Sequence, residues 1–493
     1  MMKHIVSYIF ISALAAVLAA CGDRVAETSP SAPHIFPDYA GVTVPVNIAP
    51  LNFRLDGFDG RARARLEAGA EHITVSTRDG AFRLPQRGWR RLCSAAVAAG
   101  GDISVTVEAR DGDGVWRRYA PFVIRVSEDE IDPYMVYRLI EPGYETWGEM
   151  GIYQRCLETF REEPVIETSS AGYGCINCHT FRSQDPDMML FHMRQTHAGT
   201  MLLREGRIER LNTATDSTIS STVYPSWLPS GRYIAFSVNA TKLITLPDES
   251  NRVEVFDSAS DVVVYDTERH ELYSVPELMR GDRFETFPSF SPAGDKLYFC
   301  TADSVEMPAR YKEARYSLCS IGFDAASGRL GRDVDTLCNA RTTGRSVSFP
   351  RVSPDGAFML YALSDYGTFS IWHRDADLRM IDLRSGREVE TLAVNSPEAE
   401  SYHSWSSNSR WILFNSRRVD GLYTHVYMAH VSDDGTLSKP FLLPQRDPDF
   451  YCTFMKSYNI PEFVRGRVTV PERRIVSAAE RQPAVTVSFR MQE

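Results

Sequence analysis

From about residue 199 the chain alternates apolar and polar positions in short runs, and the runs repeat. YPSWLPSGRYIAFSVN (224–239), FPSFSPAGDKLYFCTA (287–302), FPRVSPDGAFMLYALS (349–364) and YHSWSSNSRWILFNSR (402–417) share one plan. Each opens on an aromatic residue, turns on Ser, Pro, Gly, Asp or Asn, and continues as a strand rich in aromatic and aliphatic residues. Further strands, such as SDVVVYDTERHELYSV and DLRMIDLRSGREVETL, lie between the copies. A strand that alternates sides buries its apolar set against a neighbouring sheet. A single blade of four strands cannot cover both its faces, so the pattern predicts a closed ring of blades. Four copies are visible. Strands in GTMLLREGRIERLNT (199–213) are expected to share a closing blade with the C-terminal FYCTFMKSYNIPEF, giving five blades within a range of five to seven.

These stretches resemble the PD40 (WD40-like) blades of TolB-type propellers, whose signature reads much like P-S-W-S-P-D-G-R-x-I-A-F. Asp355-Gly356 keeps the turn of that signature, and Ser230-Gly231, Gly294-Asp295 and Asn408-Ser409 vary it. The resemblance implies a C-terminal β-propeller over 199–493 and says nothing of function.

Residues 43–126 are also β-like, with HITVS (72–76) and DISVTVEA (102–109) alternating between turns. Asp111-Gly112-Asp113-Gly114 supplies the turn of a hairpin; the extended ligand series of a calcium loop is missing. About 85 residues of short strands suggest a small β-sandwich of immunoglobulin-like size. The connecting segment 127–198 mixes aromatic and apolar residues, with a short helix expected near Gly151–Glu163 and another over 187–196. Its Tyr134, Tyr137, Tyr144, Trp147 and Tyr153 suit either packing between domains or a wall for a flat apolar ligand. The expected fold class is mainly β: a sandwich-like domain, a short helical segment and a propeller.

The 493 residues, 43% hydrophobic, supply cores for two or three domains. A net charge of −10 argues against nucleic acid as a partner, which would need a basic face. The chain begins MMKHIVSYIFISALAAVLAACGD, a basic start, an apolar centre and a small-residue end, as in a secretory signal. Leu18-Ala19-Ala20-Cys21 resembles the lipobox of bacterial lipoproteins. The resemblance implies a signal peptide over 1–20, lipidation of Cys21, a flexible tether over 21–42, and a place in the bacterial cell envelope. The anchored protein would face the periplasm, with the outer membrane preferred over the inner. Of the other cysteines, Cys93, Cys156, Cys300, Cys319, Cys338 and Cys452 could pair outside the cytoplasm. Cys300 and Cys319, on consecutive strands, are the first pair to consider; buried free thiols are the plain alternative.

The remaining two cysteines stand in YGCINCHTF (173–181), which spells C-x-x-C-H. In an exported protein this spacing reads as haem c attachment. It resembles the cytochrome c motif, which implies thioethers from Cys175 and Cys178 and an axial bond from His179 to iron. Zinc would need two further ligands, and no second C-x-x-C exists. A thioredoxin-like dithiol would want a βαβ setting. Downstream, QDPDMMLFHMRQTHAGTMLL offers His192 or His197 as the sixth ligand, the methionines reading mainly as core filling.

Three functions follow. The first is a membrane-anchored haem c lipoprotein whose propeller binds a periplasmic protein or redox partner, in electron transfer or redox sensing. The second is a TolB-like scaffold without a redox role, and the third a haem-based oxidoreductase with an open iron site. No G-x-S-x-G elbow, H-E-x-x-H helix or Gly-rich phosphate loop is present. His373, His403 and His425, in or near propeller strands, read as hydrogen-bonded structural histidines.

Overall fold

The computed structural model describes residues 25–110, 112, 114–141, 149–246, 251 and 253–493; Cys21 lies outside them. The chain is mainly β and divides into two compact units. One joins the chain up to Val42 to Pro50–Glu128 and Pro444–Cys452, and the other holds Thr43–Ala49, Asp129–Leu443 and Thr453–Glu493.

In the first unit Asp102–Arg110 is the central strand, paired antiparallel with Ala62–Ala68, Trp116–Arg118 and Phe122–Ser127. The strands flanking the expected hairpin turn pair antiparallel, with Arg110 opposite Trp116; Asp111 and Asp113 lie outside the described residues. The second layer corrects the sandwich expectation. A helix over Gln86–Ala98 buries Trp89, Leu92, Cys93 and Ala96, a helical stripe, against strands of the sheet. A three-stranded sheet of Ile35–Phe36, Phe53–Leu55 and Ala81–Phe82 accompanies it. Its Phe53 ring stands 5.0 Å from Phe82 and 6.1 Å from Phe122. The expected tether is corrected too: Val25–Thr28 runs parallel to Trp116–Arg118, and Tyr39 and Val42 are fully buried.

In the second unit the described residues form a propeller of six blades. The inner strands are Ser457–Val464 in the first blade, Ile176–Phe181 in the second and Thr222–Trp227 in the third. Arg283–Phe290, Ser346–Val352 and Glu400–Trp405 serve the fourth, fifth and sixth. Each touches the next, and the sixth meets the first. Ser457–Val464 pairs with Tyr134–Ile140, so late and early segments share one sheet. That arrangement closes the ring and removes its free edge. The C-terminal residues add two parallel edge strands, Val485–Thr486 to the second blade and Ser488–Met491 to the third.

Several expectations are corrected here. The segment 127–198 is not a connector: it builds the first blade's outer strands and the start of the second, so the propeller begins at Tyr134. Strands at 199–213 belong to the second blade, and the C-terminal strand closes the first. The expected helices are the strands Gly151–Cys156 and Met188–Met193. Every residue of Met188–Met193 is buried, because each blade is covered on both faces, and such strands lose the alternation that would mark them. Of the two readings of the aromatic residues, packing holds for Tyr137, fully buried against Tyr153 and Tyr458, while Tyr144 and Trp147 lie outside the described residues. Cys300 opposes Leu318, and Cys319 opposes Phe299. The two thiols therefore enter cores on opposite faces of the fourth blade and do not pair.

Candidate functional site

The motif Cys175–His179 leads into and occupies the inner strand of the second blade. Each inner strand carries one residue with left-handed φ at the same place: Cys178 (52°), Tyr224 (49°), Phe287 (50°), Phe349 (53°), Tyr402 (47°) and Ile460 (46°). The strand register shifts at each of these sites, which marks a β-bulge. A non-glycine residue in this region costs roughly 1–3 kcal/mol. Its recurrence in all six blades makes it part of the architecture.

Four of the bulge residues bring aromatic rings together in the channel. Phe287 and Phe349 stand 4.1 Å apart, Tyr224 and Phe287 4.5 Å, and Phe349 and Tyr402 5.0 Å. Cys178 is the small member of the set. Beside it lies a cavity of about 20 Å³ lined by Cys178, His179, Tyr224, Tyr402, His403, Arg351 and Glu462 among others, room for one water.

Cys175 is buried at the start of the strand, and its sulfur accepts a hydrogen bond from Asn177 Nδ2 at 3.7 Å. Burial raises the Cys175 thiol pKa, with Arg138 and Arg194 opposing. Both motif cysteines are unpaired. His179 is fully enclosed, and its Nε2 faces the Val136 carbonyl of the first blade at 3.4 Å. Burial holds its pKa at about 3.

The two candidates for a sixth ligand go to different places. His192 is paired in register with Asn177, yet its ring lies 6.0 Å from Phe236 of the third blade, with Nδ1 2.8 Å from Thr200 Oγ1. His179 and His192 thus serve opposite faces of the second blade. Their imidazoles do not face one another, which corrects the pairing of His179 with His192. His197 sits in a 3₁₀ turn beside Gly172; a methyl group added there would lie 3.4 Å from its Nε2.

A haem attached at this motif needs both thiols and the imidazole directed at one macrocycle. The closed ring does not fit it. Cys178 faces the channel while His179 Nε2 addresses the neighbouring blade. The free volume beside them is about 20 Å³, against the hundreds of Å³ of small-molecule pockets. Among the described residues no group of three or more His, Cys, Asp and Glu side chains is placed to hold a metal ion.

Beyond Arg351 and Glu462 the channel widens into a funnel of about 400 Å³. Two rings of equivalent positions line it. Thr180, Ser226, Ser289, Arg351, Ser404 and Glu462 form one; Phe181, Trp227, Phe290, Val352, Trp405 and Phe463 form the other. The small hydroxyl residue has a role in the repeat: Ser226 Oγ accepts from Phe290 N at 3.1 Å in the next blade. Glu462 Oε2 accepts from Phe181 N in the same way, at 3.1 Å. Burial pushes the Glu462 carboxyl up to about 7, with Arg351 opposing. Arg351 and Glu462 were not singled out in the sequence. The signal was there: FPRV and IPEF replace the Ser of YPSW and FPSF with charges.

No family model matches the chain, and no curated protein matches it in sequence. Among solved structures it is similar to TolB from Acinetobacter baumannii, with 12% identity, 77% of this chain and 85% of that chain covered, and a TM-score of 0.40. The Pseudomonas aeruginosa periplasmic gluconolactonase gives 14% identity, 64% and 97% coverage and 0.34. The β-propeller domain of the trilobed protease from Pyrococcus furiosus gives 11%, 70% and 94%, and 0.32. The propeller is established by the closed ring of sheets, not by these distant likenesses.

Proposed function

We propose that this chain is an exported binding protein of the bacterial envelope, anchored through a lipid on Cys21, whose propeller seats a small molecule in its funnel. One observation carries the binding reading. A cavity of about 400 Å³ receives side chains from all six blades, the size and setting of a small-molecule site. A ligand that binds only the folded protein raises its stability by about 2.7 kcal/mol at a hundred times its Kd. A thermal-shift screen of small molecules therefore tests the reading, repeated on Ser289→Trp, which fills the funnel. Compounds that stabilise the wild type are expected to lose their effect in the variant. If they stabilise both alike, the funnel is not the seat.

The motif supports a second reading, in which haem c is joined to Cys175 and Cys178, with His179 as axial ligand and His197 as the sixth-ligand candidate. Its support is the pair of unpaired thiols three residues apart, one of them on the channel, in a chain whose N-terminus reads as an export signal. Bound haem would supply electron transfer to a periplasmic partner. This reading requires a channel wider than the closed ring, so the haem-bearing fold would differ around Cys178. A pyridine haemochrome spectrum of protein matured with haem-attachment machinery, beside Cys175→Ser/Cys178→Ser, tests it. A covalent haem signal lost in the variant supports it; no signal from folded, exported protein removes it.

A further inference from the structure

The funnel has a chemical preference, and the inference rests on the binding reading above. We propose that it receives a small carboxylate, held by the Arg351 guanidinium, with its body against the apolar side chains of Val352, Pro229, Pro292 and Pro354.

Arg351 lines both the channel cavity and the funnel. Arg351 is half-buried, and elsewhere in the propeller an equally half-buried arginine is paired: Arg418 meets Glu400 at 2.9 Å. The Arg351 side chain has no such ion pair or hydrogen bond among the described residues; burial lowers its pKa, and Glu462 acts on it only through space. A guanidinium drawn out of bulk water without a partner is costly until something anionic satisfies it. Glu462 does not satisfy it: no hydrogen bond or ion pair joins the two side chains, and Glu462 Oε2 accepts from Phe181 N instead.

The indoles belong to the wall rather than to the open funnel. Trp405 and Trp227 hold equivalent positions, and Trp405 Nε1 donates to the Arg351 carbonyl at 3.0 Å. Trp227 is 8% exposed, and its Nε1 has no partner. Ser404 Oγ, also in the funnel lining, is buried and unpartnered as well. These two groups are sealed inside the wall, so the partly exposed Arg351 guanidinium is the donor left to a ligand, and it carries a charge without a contact.

A planar carboxylate matches the guanidinium fork and takes two parallel hydrogen bonds from it. The other funnel cation, Arg465, already has Asp185 at 4.0 Å. One uncompensated positive charge suits a monoanion better than a phosphate ester. Val352, Pro229, Pro292 and Pro354, at least partly exposed, supply the apolar surface for the rest of the ligand.

The test is calorimetric titration of the full chain with phenylacetate, hexanoate and glucuronate, and with phenylacetamide as the neutral control. We expect saturable binding of at least one carboxylate, phenylacetate binding at least about tenfold tighter than its amide, and loss of that margin in Arg351→Gln. Arg351→Lys, which keeps the charge and removes the planar fork, is expected to weaken the bound carboxylate several-fold and gives a second readout if Arg351→Gln does not fold. Equal binding of acid and amide by the wild type overturns the carboxylate assignment and leaves the binding reading standing. No saturable binding of any of the three carboxylates overturns it too; the binding reading is then judged by the Ser289→Trp screen alone. An Arg351→Gln variant that folds and keeps the margin assigns recognition elsewhere and contradicts the proposal.

Discussion

His179 and His403 hold the same place in the second and sixth blades, and each imidazole Nε2 meets a main-chain carbonyl in the second strand of the preceding blade. The partners are Val136 O at 3.4 Å and Leu360 O at 3.0 Å. Where other blades carry proline, as at Pro225 and Pro288, these two tie neighbouring blades together. His403 does so with no cysteine motif beside it, so this position of His179 is accounted for by the propeller alone. We expect His179→Ala and His403→Ala each to cost about 1–3 kcal/mol in urea unfolding. A loss confined to one of them would show that the two are not equivalent.

Burial holds both histidines at a pKa of about 3, far below the ordinary value near 6.5. Below pH 6.5 the unfolded chain takes up protons that the folded one refuses, so each histidine's contribution is full above that pH and declines as pH falls. Replacing His403 with Gln removes one such proton. The stability gap between wild type and His403→Gln is expected to narrow between pH 7.5 and 5. A constant gap would mean that His403 titrates alike in both states.

Glu462 works in the opposite direction. Its folded pKa is raised to about 7, against about 4.3 in an unfolded chain. Its contribution is present below the unfolded value and is lost as pH rises through 7. Glu462→Gln keeps an oxygen for Phe181 N and cannot ionise. It is expected to gain stability relative to wild type from pH 4.5 to pH 8. A relative loss at pH 8 would show that the negative charge is favourable where it sits.

The eight cysteines among the described residues are unpaired, and most are buried. Alkylation of the denatured protein without reductant is expected to label all eight, while the native protein exposes Cys452 first. Two missing thiols at Cys175 and Cys178 would match haem attachment. A missing pair at Cys300 and Cys319 would contradict the placement of those residues on opposite faces of their blade.

In the first unit Trp89 anchors the helix to the sheet and is 1% exposed. Trp89→Ala is expected to destabilise that unit by about 3–5 kcal/mol. Calorimetry should show this as a lowered transition with the propeller's transition in place. No change would mean that the helix is not part of the core.

The repeat was legible because four blades keep an aromatic residue, a turn and a strand in sequence. The first two blades were not. In the second, Cys178-His179-Thr180 stands where Tyr224-Pro225-Ser226 stands in the third, and a motif of such strong chemical meaning hides the structural one. In the first, the inner strand lies more than 300 residues from Tyr134, and pairing over that separation leaves no local trace. Met188–Met193 read as helix because burial on both faces erases alternation. The Gln86–Ala98 helix did carry a signal, since Trp89, Leu92, Cys93 and Ala96 follow helical spacing, but the strands around it set the expectation. Of the site, Cys175, Cys178 and His179 were legible from spacing. Arg351 and Glu462 emerge only once the six inner strands are superposed and the charged departures from serine stand out.

The most direct test of the account is hydrogen exchange measured on peptides covering 176–193 and 222–238. If the cysteine motif is the inner strand of a blade, its backbone amides are locked in the ring, and the two peptides should exchange equally slowly. Exchange of 176–193 within seconds, beside a protected 222–238, would contradict the account and make the motif a separate segment outside the propeller.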